Sequence, residues 1–337
     1  MGVNIGGIVG QGGGARNPGP TISVVIEGYN ESIGQGRGEA ALEALRQQDF
    51  PLNTVEVILA GSCAQARAWR NLERDPAFHS IRAIGADGGH YYELKNLGAE
   101  AASGEIIALM DTDVRPEANW LSRIASGIGD GADVVAGLTL FRRPARPGWE
   151  RSLVAQAAAS ISWGFVAGPD GSAAGFLSHN VAFRSGVFHR HPFRTDLGRT
   201  CAGSFLYAAL AREGVKIVLQ PEQRVAHDFA PGWWLNRLHA RFGHEIFLLR
   251  RLNPDARHRW LSNLAVLEPA LSVPWRVLAD VPKWFRFGGL LGLGLTRRMV
   301  ALPLLFPLSL AVHTAEMAGM YLTLLAPARM RRFAESA

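Results

Sequence analysis

The stretch KNLGAEAASGEIIALMDTDVRP, residues 95–116, constrains the chain more than any other. IIALM is a short apolar run without polar alternation, the pattern of a strand buried on both faces. The acidic turn Asp111-Thr112-Asp113, with Pro116 behind it, cannot extend that strand. Two carboxylates are therefore expected at the carboxyl end of a central parallel strand, the edge of an open α/β sheet where ligands bind. Paired hard oxygen ligands favour Mg2+ or Mn2+, which in turn bind diphosphates. A nucleotide-dependent transferase is the first reading this stretch supports.

Around it, strand and helix patterns alternate. TISVVI (21–26) reads as the first strand and runs into Glu27-Gly28-Tyr29-Asn30-Glu31, followed by a glycine-rich turn and the helix EAALEALRQQ. Then come a strand at 55–60, a helix at 65–73, a strand at 81–84, a helix at 91–102, GEIIALM, a helix at 117–127 and a strand at 132–141. This alternation implies right-handed βαβ crossovers and an α/β fold with a Rossmann-like, mostly parallel sheet flanked by helices. Gly34, Gly36 and Gly38 do not form GxGxxG, so a dinucleotide-binding oxidoreductase is the weakest reading and the glycines read as loop flexibility. Beyond Arg142 the pattern gives a helix at 150–165, a strand at 179–185, a helix at 204–213, a strand at 215–220 and a basic aromatic helix at 232–252. The chain divides into a flexible glycine-rich lead (1–20), a nucleotide-binding half (21–141), an acceptor-side half of the same domain (142–230) and a basic, apolar tail (231–337).

From Pro231 onward there are 14 basic and 6 acidic residues, so the whole basic excess of a chain with net charge +6 lies in its most apolar third. That pairing points to a membrane surface and away from nucleic acid. Residues 299–326 are long enough to cross a bilayer, which takes about 20 apolar residues. Pro303, Pro307 and Glu316 interrupt them, and a charge at mid-bilayer costs about 3 kcal/mol. An interfacial helix and a buried soluble helix are the alternatives. Cys63 and Cys201 stand in no metal-type spacing and fit a reducing setting, so the expected location is the cytoplasmic face of a membrane.

SVVIEGYNE, ALEALRQQDFPLNTVEVILAGS and KNLGAEAASGEIIALMDTDVRPEANWL together resemble the inverting family 2 glycosyltransferases of GT-A fold, over about residues 20–250 and most closely up to Phe141. WWLNRLHARFGHE and HTAEMAGMY are similar to segments of that family's membrane-associated members. The resemblance implies a sugar moved from a nucleotide donor, uridine-linked, to a lipid or polysaccharide acceptor. It implies Tyr29 and Glu31 beside the base and ribose, Lys95 near the phosphates, Asp111 at the ribose or sugar, and Asp113 at the metal with Asp111 and His227. A metal bridging diphosphate oxygens neutralises the leaving group. His179, Asn180, Arg237 and Arg241 are the candidates for the acceptor or phosphate side, the arginines being suited to a diphosphate or lipid phosphate.

Two positions depart from the family pattern. Ala60 stands where an aspartate often meets the base, and Ala202-Gly203 where the family places an acidic pair whose aspartate is the general base. Such a base is worth about a hundredfold or more in rate. Asp196 is the nearest acid upstream and His179 the other substitute. The loss opens a second reading, a catalytically silent sugar-nucleotide-binding or scaffold protein at the membrane.

Overall fold

The computed structural model describes residues 21–29, 31, 36–197, 199, 201–228, 234–256 and 258–336. The glycine-rich lead at 1–20, Asn30, Gly34 and residues 232–233 of the expected basic helix lie outside them. Eight strands form one mixed sheet: β1 Ile22–Glu27, β2 Val55–Gly61, β3 Ser80–Gly85, β4 Ile106–Asp111, β5 Val114–Pro116, β6 Val134–Arg142, β7 Val181–Arg184 and β8 Ile217–Asp228, in the order β3-β2-β1-β4-β7-β6-β8-β5. The first four strands in that order are parallel, joined by the crossover helices α1 Arg37–Arg46, α2 Cys63–Trp69 and α3 Tyr91–Glu100. Each residue of β1, β2 and β4 is buried. Val25, Ile58, Ile107 and Leu109 join the core on one face of the sheet, and Val24, Ile26, Val57, Leu59 and Met110 the core on the other. Full burial of one such side chain is worth about 1.5–3 kcal/mol, which is why these strands read as unbroken apolar runs. Parallel register sets Ala60, Glu27 and Asp111 level at the carboxyl edge.

Past β4 the sheet departs from the expectation. α4 Trp120–Gly129 leads into β6, and β7 inserts antiparallel between β4 and β6. The acidic turn does end β4, but the chain re-enters the sheet at once as β5, antiparallel to β8, with Val114 opposite His227. β8 is twice the expected length and shifts register against β6 between Gly137 and Leu138. The predicted helix at 65–73 gives way at Arg70 to a 3-10 turn, Arg70–Arg74. Gly38 is a packing position and not a flexible one, since a β-carbon there would lie 2.7 Å from the Trp69 indole nitrogen.

The remainder is helical: α5 Leu153–Trp163, α6 Ser185–Arg190, α7 Ala202–Arg212, α8 Trp234–Leu252, α9 Glu268–Leu290, α10 Leu295–Val300, α11 Leu302–Leu325 and α12 Pro327–Ser336. Among the described residues α11 is the one helix long and apolar enough to cross a membrane. His313 and Glu316 of this helix face inward. Glu316 meets His239 of α8 at 3.0 Å and Arg276 of α9 at 2.9 Å, and the two ring nitrogens of His313 meet Glu316 at 2.6 Å and Asp280 at 2.8 Å. Lys283 and Ser309 each reach Asp280 at 2.5 Å. The charges that interrupt the apolar run are thus paired inside the bundle, where leaving one unpaired would cost several kcal/mol. The outward face is apolar, with Phe306, Leu310, Leu322 and Leu325 exposed.

Candidate functional site

The site is built on the carboxyl ends of β1 and β4. Asp111 Oδ1 accepts a hydrogen bond from Lys95 Nζ at 2.6 Å, and the Tyr91 hydroxyl lies 2.9 Å from Oδ2 and 3.1 Å from Oδ1. Tyr91 and Lys95 sit four residues apart on α3, which puts both on one helix face. The Lys95 side chain is 0% exposed, and an ammonium so buried requires a carboxylate partner. Burial pushes the Asp111 carboxyl up, but Lys95 and the nearby histidines outweigh it and hold the group at about 2. Glu27, opposite it in register, is driven the other way by burial and by the Asp111 charge, well above the carboxylate range. The two adjacent carboxyls thus have proton affinities pushed apart, Asp111 down and Glu27 up.

Asp113 lies across the turn. Its Oδ1 is 3.6 Å from His227 Nε2 and its Oδ2 3.9 Å from Arg37 Nη1. Oδ1 is buried and accepts no hydrogen bond among the described residues. The His227 Nδ1–H donates to the Asp228 carbonyl at 3.0 Å, which turns Nε2 toward Asp113. His179 packs 5.2 Å from the His227 ring, with Nε2 3.2 Å from Thr139 Oγ1, and burial lowers it to about 3, so its imidazole is neutral. One ligand atom from each of Asp111, His179 and His227 lies within 4.8 Å of the others. A mixed carboxylate–imidazole set beside an orphaned carboxylate oxygen fits a divalent cation.

The other predicted residues divide. Tyr29 stands at the mouth, its ring 5.1 Å from the Arg199 guanidinium, and its hydroxyl donates to the Glu335 carbonyl of α12 at 2.6 Å. Glu31 Oε1 accepts the backbone N–H groups of Arg37 at 2.9 Å and Gly38 at 3.3 Å, so this carboxylate is tied to the start of α1. Asn180 is fully buried and its amide is used inside the sheet, accepting from Trp120 and Gln223 and donating to the Leu138 carbonyl. An acceptor therefore cannot use it. Asp196 is exposed with both oxygens on Arg194, at 2.9 and 2.5 Å, and is not brought to the cluster. Arg237 lies over Phe333, whereas Arg241 is nearly enclosed, 3.5 Å from Glu245. His179 stands with the metal-type ligands and not on a separate acceptor side.

Sequence reasoning passed over Glu27, Tyr91, Arg199 and Glu245. Glu27 closes its strand as Asp111 closes β4, and Tyr91 has the helical spacing to Lys95, so both carried a local signal. Arg199, whose guanidinium lies 4.9 Å over the Tyr91 ring, and Glu245 carried none.

The family model for glycosyl transferase family 2 matches residues 23–191, half of the chain and all of the strand-end cluster except His227 and Arg199. The chain belongs to this family. Among curated proteins of the family's activity, glycosyltransferase AglE of Haloferax volcanii is 31% identical over 129 residues, covering 37% of this chain and 41% of that protein. The chain thus spans less than half the length of the curated relative it matches. Among solved structures, the mannosyltransferase PcManGT from Pyrobaculum calidifontis, in complex with GDP-Man and Mn2+, superposes with a TM-score of 0.56 at 18% identity, over 92% of this chain and 88% of that one. TarS residues 1–349 of S. aureus with UDP-GlcNAc gives 0.46 at 13% identity, over 92% of each chain. This family 2 chain therefore has the GT-A type of architecture, a mixed eight-stranded sheet flanked by helices.

Proposed function

We propose that the protein is a glycosyltransferase that moves a sugar from a nucleotide donor, uridine-linked, to a lipid or polysaccharide acceptor at a membrane. The observation that carries this reading is the convergence of Asp111, Asp113, His179 and His227 at the carboxyl edge of the central strands. These four residues would hold Mg2+ or Mn2+, the two imidazoles departing from the all-oxygen set that Mg2+ prefers. A cation there neutralises the diphosphate as it leaves. Lys95 keeps Asp111 ionised, Tyr91 orients its carboxylate, and Arg199, stacked on Tyr29 and Tyr91, adds positive charge beside the donor mouth. His179 stays neutral, as a metal ligand must.

The membrane part of the reading rests on the inside-out pattern of the helical tail. α11 hides its charges and exposes its apolar face, and the start of α9 exposes Leu271, Trp275 and Leu278 at helical spacing. A contiguous apolar face under a basic excess suits a bilayer surface. The second reading, a silent sugar-nucleotide binder at the membrane, is favoured by Ala202-Gly203 opening α7 without an acid.

Calorimetric titration with UDP and with GDP, each with Mn2+ and with Mg2+, tests the site. GDP is included because a structural relative binds GDP-Man with Mn2+. The expected result is metal-dependent nucleotide binding that weakens at least about tenfold in Asp113→Ala, since that substitution removes a charged ligand. Metal-dependent binding left intact by the substitution refutes the assignment. Release of nucleoside diphosphate from UDP-glucose, UDP-GlcNAc or GDP-mannose separates the enzyme from the silent binder.

A further inference from the structure

The acid missing from the start of α7 has a substitute on another helix. A β-carbon built on Gly203 lies 3.6 Å from the Tyr92 hydroxyl, so Tyr92 marks the space a side chain at 203 would enter. That hydroxyl lies beside Ser178, and Ser178 Oγ is 2.9 Å from the Tyr91 hydroxyl, which binds Asp111. The place of the absent acid is therefore joined to the strand-end carboxylates through three hydroxyls, those of Tyr92, Ser178 and Tyr91. Two charged groups of α8 act on Tyr92 there, the Glu245 carboxylate first and the Arg241 guanidinium against it.

Two contacts hold Glu245 here, and Arg199 acts on its carboxylate. The Cys201 thiol donates to the Glu245 carbonyl at 3.0 Å, fastening α8 to the residue that precedes Ala202. Arg241 Nε lies 3.5 Å from Glu245 Oε1, one helical turn back. Arg199 acts on both Glu245 and Glu27 while its guanidinium stacks on Tyr29 and Tyr91, so it lies between the donor mouth and α8. The Glu245 side chain keeps 24% of its surface open. Burial raises its carboxyl against the pull of Arg241 and Arg199, which makes the ionised form a stronger base.

We infer that Glu245 is the general base of sugar transfer, supplied by α8 in place of the acid absent from α7; the inference rests on the transfer reading above. In the step, the acceptor O–H bond breaks and its proton passes to the Glu245 carboxylate as the oxygen bonds to the anomeric carbon. The bond from that carbon to the diphosphate oxygen breaks, and its electron pair leaves with the nucleoside diphosphate, inverting the anomeric centre. Arg241 on the same helix, Arg199 and Cys201 before α7, and Tyr92 on α3 are the charged and titratable groups that face the carboxylate among the described residues.

The test uses the protein with Mn2+ and the nucleotide-sugar panel, water serving as acceptor. Glu245→Gln should lower kcat for nucleotide release at least about a hundredfold, with UDP affinity and donor KM unchanged, and Glu245→Asp should retain most of the activity. The acid limb of the wild-type pH profile should vanish in Glu245→Gln. Azide, which needs no deprotonation, should restore turnover in Glu245→Ala and yield the glycosyl azide of inverted configuration. Wild-type turnover that Glu245→Gln retains overturns this assignment alone, as does loss of UDP binding in the variant or failure of azide to restore Glu245→Ala. No turnover by the wild type with any donor overturns the transferase reading and the base together.

Discussion

Gly243 of α8 and Gly319 of α11 mark the place where these two helices touch backbone to backbone. A β-carbon on Gly243 would lie 2.0 Å from the Glu316 carbonyl oxygen, and one on Gly319 would lie 1.9 Å from the Ala240 carbonyl oxygen. An ordinary carbon–oxygen contact is about 3.3 Å, so Gly243→Ala forces the helices apart by more than about 1 Å. Overpacking of this kind costs about 1–3 kcal/mol. The same displacement stretches the His239–Glu316 contact at 3.0 Å and the His244–Thr323 contact at 2.9 Å, which bridge the seam. Loss of one hydrogen bond to a charged group adds about 1.5–3 kcal/mol, so the expected total is about 2.5–6 kcal/mol. With an unfolding entropy of about 2.1 cal/mol/K per residue, the melting temperature of a chain this size should fall by about 3.5–8.5 °C if it unfolds as one unit. Thermal melts followed by circular dichroism measure this. Gly129→Ala is the control, because no atom lies within 4 Å of a β-carbon at that helix end. A Gly243→Ala protein melting within about 1 °C of wild type would mean that the close approach is absent and the reasoning wrong.

Two further outcomes are expected. Burial lowers His244 to about 4, so it is neutral when folded and gains a proton on unfolding once the pH drops below about 6.5, and burial lowers His239 in the same direction. Their contribution is complete above that pH and declines below it, by roughly 2 kcal/mol for His244 at pH 5; a urea midpoint constant from pH 7 to 5 would contradict this sign. The protein should also sediment with anionic phospholipid vesicles, and Trp275→Glu with Leu278→Glu should abolish the association. Wild-type protein that stays in the supernatant would remove the membrane from the proposal.

The GT-A architecture of the strand-rich half was legible in the sequence because its signals are local. A strand buried on both faces must be apolar throughout, and acids that break it must lie at its end, so Asp111 and Asp113 could be placed without any knowledge of their neighbours. What gathers around them depends on which strands and helices become adjacent. His227 faces Asp113 because β5 pairs with β8, and His179 faces His227 because the segment entering β7 passes beside them. Asn180, adjacent in sequence to a candidate ligand, points its amide into the sheet instead. The same holds for the tail: an apolar run broken by His313 and Glu316 reads ambiguously, and the partners of those two groups, His239, Arg276 and Asp280, come from α8 and α9, outside the run. The missing acid at Ala202-Gly203 was plain from the sequence. That Glu245, more than forty residues later, stands beside the gap was not, because hydrophobic patterning determines which elements form, whereas a site assembled from four elements exists only once their packing has set the distances between them.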